Sequence, residues 1–225
     1  MKTLIIISHP TIDTSLNQQF FKEASATLPI TWHHLEACYP DGKVGLPTEL
    51  NLLKEHERII FQFPFYWYSA PAHLKMWQDQ VLESAEQYLK GKELGIVLTT
   101  GVATKEYQAG GKEEYTISEF LRPYQRIAHK FQMSFLPPFV LSQFMYQTES
   151  QRFEKLIAYQ QYLSLANKPS LVHRIAWFME RLEQHPAIEQ SAGNKQEMIV
   201  EMLEEAKETI EDLTFTLQEL KGTSS

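Results

Sequence analysis

The sequence predicts an α/β protein: five parallel strands in the order 2-1-3-4-5, helices on both faces, and a C-terminal helical hairpin. Three observations lead there. Strand-like and helix-like segments alternate over residues 1–168, the pattern of a parallel sheet with crossover helices. The strands are continuous apolar runs, such as Leu4-Ile5-Ile6-Ile7, as in a sheet covered on both faces. Beyond Asn167-Lys168-Pro169-Ser170, apolar residues recur every three or four positions, the period of helices. The expected division is therefore a domain over 1–168 and a helical extension over 169–225.

The elements follow in order. Lys2–Ser8 reads as a buried strand and Ser15–Ala26 as a helix with Leu16, Phe20 and Ala24 on one face. Ile30–Leu35 is the second strand, Pro47–Glu55 a short helix, and Arg58–Phe63 the third strand, stopped by Pro64, which cannot donate to a ladder. Pro71 opens the helix Pro71–Tyr88, because its missing N–H costs nothing in a first turn. Glu93–Leu98 is the fourth strand. Thr116–Ile127 is a helix interrupted by Pro123. Lys130–Leu136 is the fifth strand, ended by Pro137-Pro138, and Glu149–Ala166 the last helix of the domain. In the extension, Leu171, Ile175, Phe178 and Leu182 mark one helix, and Pro186 with Gly193-Asn194 mark a turn. Ile199, Leu203, Ala206, Ile210, Leu213, Leu217 and Leu220 then alternate by four and three, a heptad seam. It packs either on its own domain or on a partner chain.

Composition bounds the function. The chain has 225 residues, 43% hydrophobic and 22% charged, with a net charge of −7. Residues 170–225 hold 5 Lys/Arg and 11 Asp/Glu, so −6 of the net charge of −7 lies in the extension. No basic footprint for nucleic acid exists, and no apolar run nears the roughly 18 residues of a membrane span. Cys38 is the single cysteine, which fits a cytoplasmic location. No Cys/His spacing resembles a metal site; His33-His34 sit at a strand end.

Three segments fall at the ends of strands one, three and four, beside the point where the strand order reverses, and open sheets bind ligands at that crevice. The first is His9–Asn17. It contains no glycine, so it is no dinucleotide turn. It offers Thr11, Thr14, Ser15 and Asn17 at a helix N-terminus, where N–H groups and the dipole attract phosphate; the same hydroxyls also suit plain capping. The second is the aromatic loop Pro64-Phe65-Tyr66-Trp67-Tyr68, bulky where folding alone favours small polar residues. It is either core under a loop or a wall for a planar ring. The third is Thr99-Thr100-Gly101-Val102 with Tyr107, whose backbone N–H groups can face the cleft.

These residues resemble a family. Phe61–Trp77 follows the pattern F-Q-F-P-x-x-W-[YF]-x-x-P-x-x-L-K-x-W, and Thr99–Gly101 the start of T-T-G-G. Both are similar to the flavodoxin-like NAD(P)H:quinone oxidoreductases, the DT-diaphorase-like group. Leu35–Asp41 and Leu136–Phe139 look most like its bacterial branch associated with potassium efflux. The resemblance covers residues 2–166. It implies a non-covalent flavin, FMN rather than FAD since the first loop is short and no insertion offers an adenosine shelf. It implies NAD(P)H as reductant, a quinone as acceptor, a ping-pong two-electron cycle and a homodimer. Azo or nitro compounds are alternative acceptors. A regulatory subunit of a membrane efflux protein is the alternative function, and a one-electron carrier a third, disfavoured by the near-neutral domain. By resemblance His9, Ser15, Leu16 and Asn17 hold the phosphate and ribityl chain. Pro64, Phe65, Tyr66, Trp67 and Tyr68 line the ring, Thr99, Thr100 and Gly101 meet its pyrimidine edge, and Tyr107 stands at the substrate face. Val102 departs from the second glycine, and Tyr66 from a common Gln. Lys112 stands near the place of a family histidine, where it would balance charge during turnover but is a poorer proton donor near neutrality.

Overall fold

The computed structural model describes residues 1–184 and 190–222, which divide into two compact units, Met1–Ser164 and Leu165–Ser225. Pro186 lies outside the described residues. The first unit is built on a parallel sheet: β1 (Thr3–Ile7), β2 (Ile30–His34), β3 (Arg58–Pro64), β4 (Glu93–Thr100), β5 (Ser134–Phe135) and β6 (Phe139–Ser142), in the order β2-β1-β3-β4, with both β5 and β6 on β4.

The central strands bury both faces, and that explains their unbroken apolar sequence. Leu4 and Ile6 of β1 join Phe61, Phe63, Trp77 and Tyr124 in one core, under helices Leu46–Glu55, Ala72–Val81 and Arg122–Lys130. Ile5 and Ile7 join Ile60, Val97, Phe21 and Tyr159 in the other, under helices Leu16–Ser25 and Glu149–Ser164. Each such side chain contributes about 1.5–3 kcal/mol on burial. Glu49 is fully buried among them and ties four segments together. It accepts from His33 Nε2 at 2.9 Å, from Trp77 Nε1 at 2.7 Å and from the Tyr39 hydroxyl. Burial alone would push its carboxyl up, but these donors hold it below the usual carboxylate range.

Three expectations change. The fifth strand is not Lys130–Leu136. Lys130 ends a helix, only Ser134 and Phe135 pair with Glu93 and Leu94, and the strand resumes after the prolines as β6 against Val97–Thr100. Pro137-Pro138 interrupt the strand without ending it, because it forms the sheet edge, where proline is tolerated. Three edge residues, 136–138, face two of β4, the count of a bulge. The helix Pro71–Tyr88 is three pieces, Ala72–Val81, Leu82–Ser84 and Glu86–Leu89. In the second unit, Gly193-Asn194 make no turn: the helix Gln190–Gly222 runs through them, and it packs against Leu171–Gln184. No described helix is long and apolar enough to cross a membrane.

Candidate functional site

The carboxyl edge of the sheet carries a cleft of about 430 Å³, within the range of small-molecule sites. Four chain segments line it: His9–Asn17 after β1, Pro64–Tyr66 after β3, Thr99–Gly101 after β4, and Gln143–Tyr146 after β6. Backbone bonds lock them together. Ser8 N–H donates to Gln62 O at 3.1 Å, Phe65 N–H to Thr99 O at 2.8 Å, and Gln143 N–H to Thr100 O at 2.9 Å. Among the described residues, the lining includes no Asp, Glu, Lys or Arg.

The first segment is a helix N-terminus. Ser15 caps Leu16–Ser25, accepting from Gln18 N–H at 3.4 Å, and the hydroxyl proton remains to be given to a ligand. The first-turn N–H groups lack intrahelical partners. His9 is buried, and burial lowers its pKa, so the ring stays neutral. Its Nδ1 accepts the Thr11 N–H at 3.2 Å, which leaves the proton on Nε2 as a donor. Behind it, His34 Nε2 lies 3.0 Å from His9 O and 3.2 Å from a Glu36 oxygen, and Ser8 Oγ donates to Glu36 at 2.7 Å. The bond to Glu36 raises the His34 pKa.

At the second segment, Tyr66 and Ser69 exchange backbone bonds of 3.0 and 2.9 Å across a tight turn whose central residues, Trp67 and Tyr68, have φ of 50° and 64°. This is the type I′ geometry that favours glycine or asparagine. Trp67 stands at its tip, 94% exposed, and neither it nor Tyr68 lines the cleft. Tyr68 stacks on Phe120 at 5.2 Å, and Glu113 beside its hydroxyl pushes the phenol up.

At the third segment, a Cβ built on Gly101 would meet no atom within 4 Å. Glycine therefore leaves bare backbone toward the cleft, where a flat ring edge can approach closely. Thr100 Oγ1 receives the Val102 N–H at 3.1 Å and lies 3.0 Å from the Tyr107 hydroxyl. Tyr107 was expected at the substrate face; it is buried, packed on Phe65 and Phe120, and braces the wall from behind. Lys112 is exposed on the following loop, outside the lining, with its N–H given to Glu106 at 3.3 Å. Leu16 is also exposed and outside the lining.

The cleft thus gathers His9, Ser15, Asn17, Pro64, Phe65, Tyr66, Thr99, Thr100 and Gly101, and leaves Leu16, Trp67, Tyr68, Tyr107 and Lys112 outside. Sequence reasoning missed Gln143, Phe144, Met145 and Tyr146. Ending the fifth strand at Leu136 rather than Ser142 put the loop at its carboxyl end six residues early. The left-handed φ of Gln143, 49°, turns the chain there. No described group of His, Cys, Asp and Glu suits a metal ion.

Comparison with known proteins agrees with this fold. A family described as a flavodoxin-like fold matches residues 1–163. The NAD(P)H oxidoreductase YrkL of Bacillus subtilis is 44% identical over 146 residues, 62% of this chain and 84% of that protein. The solved NADPH-quinone reductase of P. pentosaceus is 42% identical with a TM-score of 0.70, covering 74% of this chain and 100% of its own. General stress protein 14 of Treponema denticola, solved in complex with FMN, is 32% identical with a TM-score of 0.64, covering 73% of this chain and 97% of its own. On the family match over residues 1–163 and these identities, the chain belongs to the flavodoxin-like NAD(P)H:quinone oxidoreductase family.

Proposed function

We propose that this protein is an FMN-dependent NAD(P)H:quinone oxidoreductase working by two-electron, ping-pong transfer. One observation carries the reading: a helix N-terminus rich in hydroxyls and the bare Gly101 backbone share one uncharged cleft, with Phe65 and Tyr66 between them. That donor set fits FMN. Thr11, Thr14 and Ser15 with the Leu16–Ser25 dipole would hold the phosphate, helped by His9 Nε2–H. Phe65 and Tyr66 would flank the ring, and the backbone of Thr99–Gly101 would meet its polar edge. Phe144 and Tyr146 would close the remaining side. The flavin supplies the hydride chemistry; the protein binds, orients and excludes water. Thr100 holds its loop through Val102 N–H and Tyr107, so Tyr107 acts as a positioning residue. Lys112 would act on the acceptor half-reaction, from the loop beside the aromatic wall. FMN rather than FAD suits a site whose first loop is short and to which no long insertion adds an adenosine shelf.

The test is a titration of the purified protein. It is expected to carry a yellow chromophore, released on denaturation as FMN, that bleaches with NADPH and recovers with a quinone. A protein that binds neither FMN nor FAD after reconstitution would sink the reading. Lys112→Met is expected to slow reoxidation by quinone and leave bound FMN unchanged; equal rates in both half-reactions remove Lys112 from the site.

A further inference from the structure

A second cavity, of about 310 Å³, lies on the other side of the His9–Asn17 segment from the cleft, within the range of small-molecule sites. The turn Ile12–Thr14 separates the two: Thr11 and Thr14 line the cleft, while Ile12 and Asp13 line the cavity. The walls follow from periodicity. Gln18 and Lys22, four apart on the helix Leu16–Ser25, share one side of it. Trp32 and His34, two apart on β2, share one face of the sheet. The helix runs antiparallel to β1 and β2, because it returns the chain from the end of one to the start of the other. Asp13 and His34 therefore stand at one end of the cavity, and Lys22 and Trp32 at the other.

The helix wall holds an unused donor. Gln18 is 1% exposed, and its Nε2 has no hydrogen-bond partner. A chain of bonds fixes which way this amide points. Tyr159 is fully buried, and burial raises its phenol, so it keeps its proton and donates it to Gln62 Oε1 at 2.7 Å. Gln62 then offers Nε2, which donates to Gln18 Oε1 at 2.7 Å. Gln18 is left presenting its NH2 at the cavity that it lines. A buried donor without an acceptor costs stability, so a ligand that supplies one gains by doing so.

Charge and shape narrow the choice of ligand. The His34 pKa is raised by the bond to Glu36 and, further off, by Asp13, whose charge it balances. Lys22 is exposed and forms no ion pair among the described residues. The unpaired cation thus stands at the Trp32 end, one helical turn, about 5.4 Å, along from the unpaired amide. Trp32 supplies a flat apolar wall between sheet and helix.

We infer that this cavity is a second binding site, for a planar heteroaromatic acid: its ring on Trp32, its ring nitrogen accepting from Gln18 Nε2, and its carboxylate on Lys22. The site goes beyond the flavin chemistry of the cleft and does not depend on it.

Titration calorimetry of the purified full chain with cinchoninate, a quinoline whose carboxylate lies para to the ring nitrogen, tests it. A dissociation constant below about 1 mM is expected, together with quenching of tryptophan fluorescence. Two analogues each remove one contact: quinoline lacks the carboxylate, and α-naphthoate lacks the ring nitrogen. Each should bind about tenfold or more weakly, the loss expected for one charged or buried hydrogen bond. Lys22→Met should weaken cinchoninate by the same factor and leave quinoline unchanged. Trp32→Phe should abolish the quenching. A dissociation constant above about 1 mM, analogues that bind as tightly as the acid, quenching that survives Trp32→Phe, or displacement of the acid by FMN overturns the proposal. A protein that binds no FMN leaves each of the other readouts in place, so the two readings fail separately.

Discussion

Trp67 combines two features that folding does not reward: a left-handed backbone and a side chain almost wholly in solvent. A non-glycine residue held at positive φ costs about 1–2 kcal/mol, and an indole that touches nothing repays none of it. Strain of this kind concentrates where a ligand or partner needs it. Trp67→Asn should therefore leave the melting temperature and bound flavin unchanged or higher, while turnover falls. A melting temperature lowered as by a core tryptophan, about 3–5 kcal/mol, would show that the exposed position is wrong. His34 gives a second test at this scale. Its bond to Glu36 lifts its pKa above 6.5, so its contribution is fully present below the unfolded value and is lost as pH rises through the folded one. Burial would raise the Glu36 carboxyl, but His34 and Ser8 hold it below 4.5, so the pair also fails when acid protonates Glu36. The stability gap between wild type and His34→Gln should open from pH 8 to 6 and close again below about 4. With only 16% and 13% of the two side chains exposed, it should reach about 1.5–3 kcal/mol, the range for a hydrogen bond to a charged group. Thermal melts across that range check it, and a gap independent of pH removes the ion pair.

Among the elements, the edge strand is the most instructive. Pro137-Pro138 cannot complete the ladder of β4, yet Ile96 is fully buried there. The Tyr162 hydroxyl replaces the missing strand, receiving Ile96 N–H at 3.1 Å and giving its own proton to Ile96 O at 3.4 Å. Burial pushes this phenol up, so it keeps the proton it donates. Gly95 makes room: a Cβ there would stand 2.5 Å from the hydroxyl. Tyr162→Phe should cost about 1–3 kcal/mol, the range for stranding buried polar groups, with no change in the denaturant m-value. A loss below 0.5 kcal/mol would mean that water or a shifted edge strand meets Ile96 instead. The effect also bears on function, because β6 delivers Gln143–Tyr146 to the cleft.

On the scale of the molecule, two chemistries are kept apart in the chain. The unit Met1–Ser164 is near neutral and carries an uncharged cleft. The unit Leu165–Ser225 carries most of the net charge and an exposed apolar seam. The first unit is what relatives share, since the family match stops at residue 163.

The sequence by itself determined the sheet, its strand order and most of the cleft. β1, β3 and most of β4 are buried on both faces, so their apolar runs state their position directly, and Pro64 and Thr99-Thr100-Gly101 mark where β3 and β4 end. Only the tertiary structure decided how the fifth strand crosses two prolines. The compensating partner, Tyr162, lies 24 residues beyond Pro138, and no local pattern reports it. It also decided which aromatics face the cleft. Phe65 and Tyr66 line it while Trp67 and Tyr68 turn away, because two consecutive left-handed residues reverse the chain. Bulk and composition are the same on either side of that turn. A backbone angle separates them, and that angle is set by the cross-turn bonds of Tyr66 and Ser69, not by propensity.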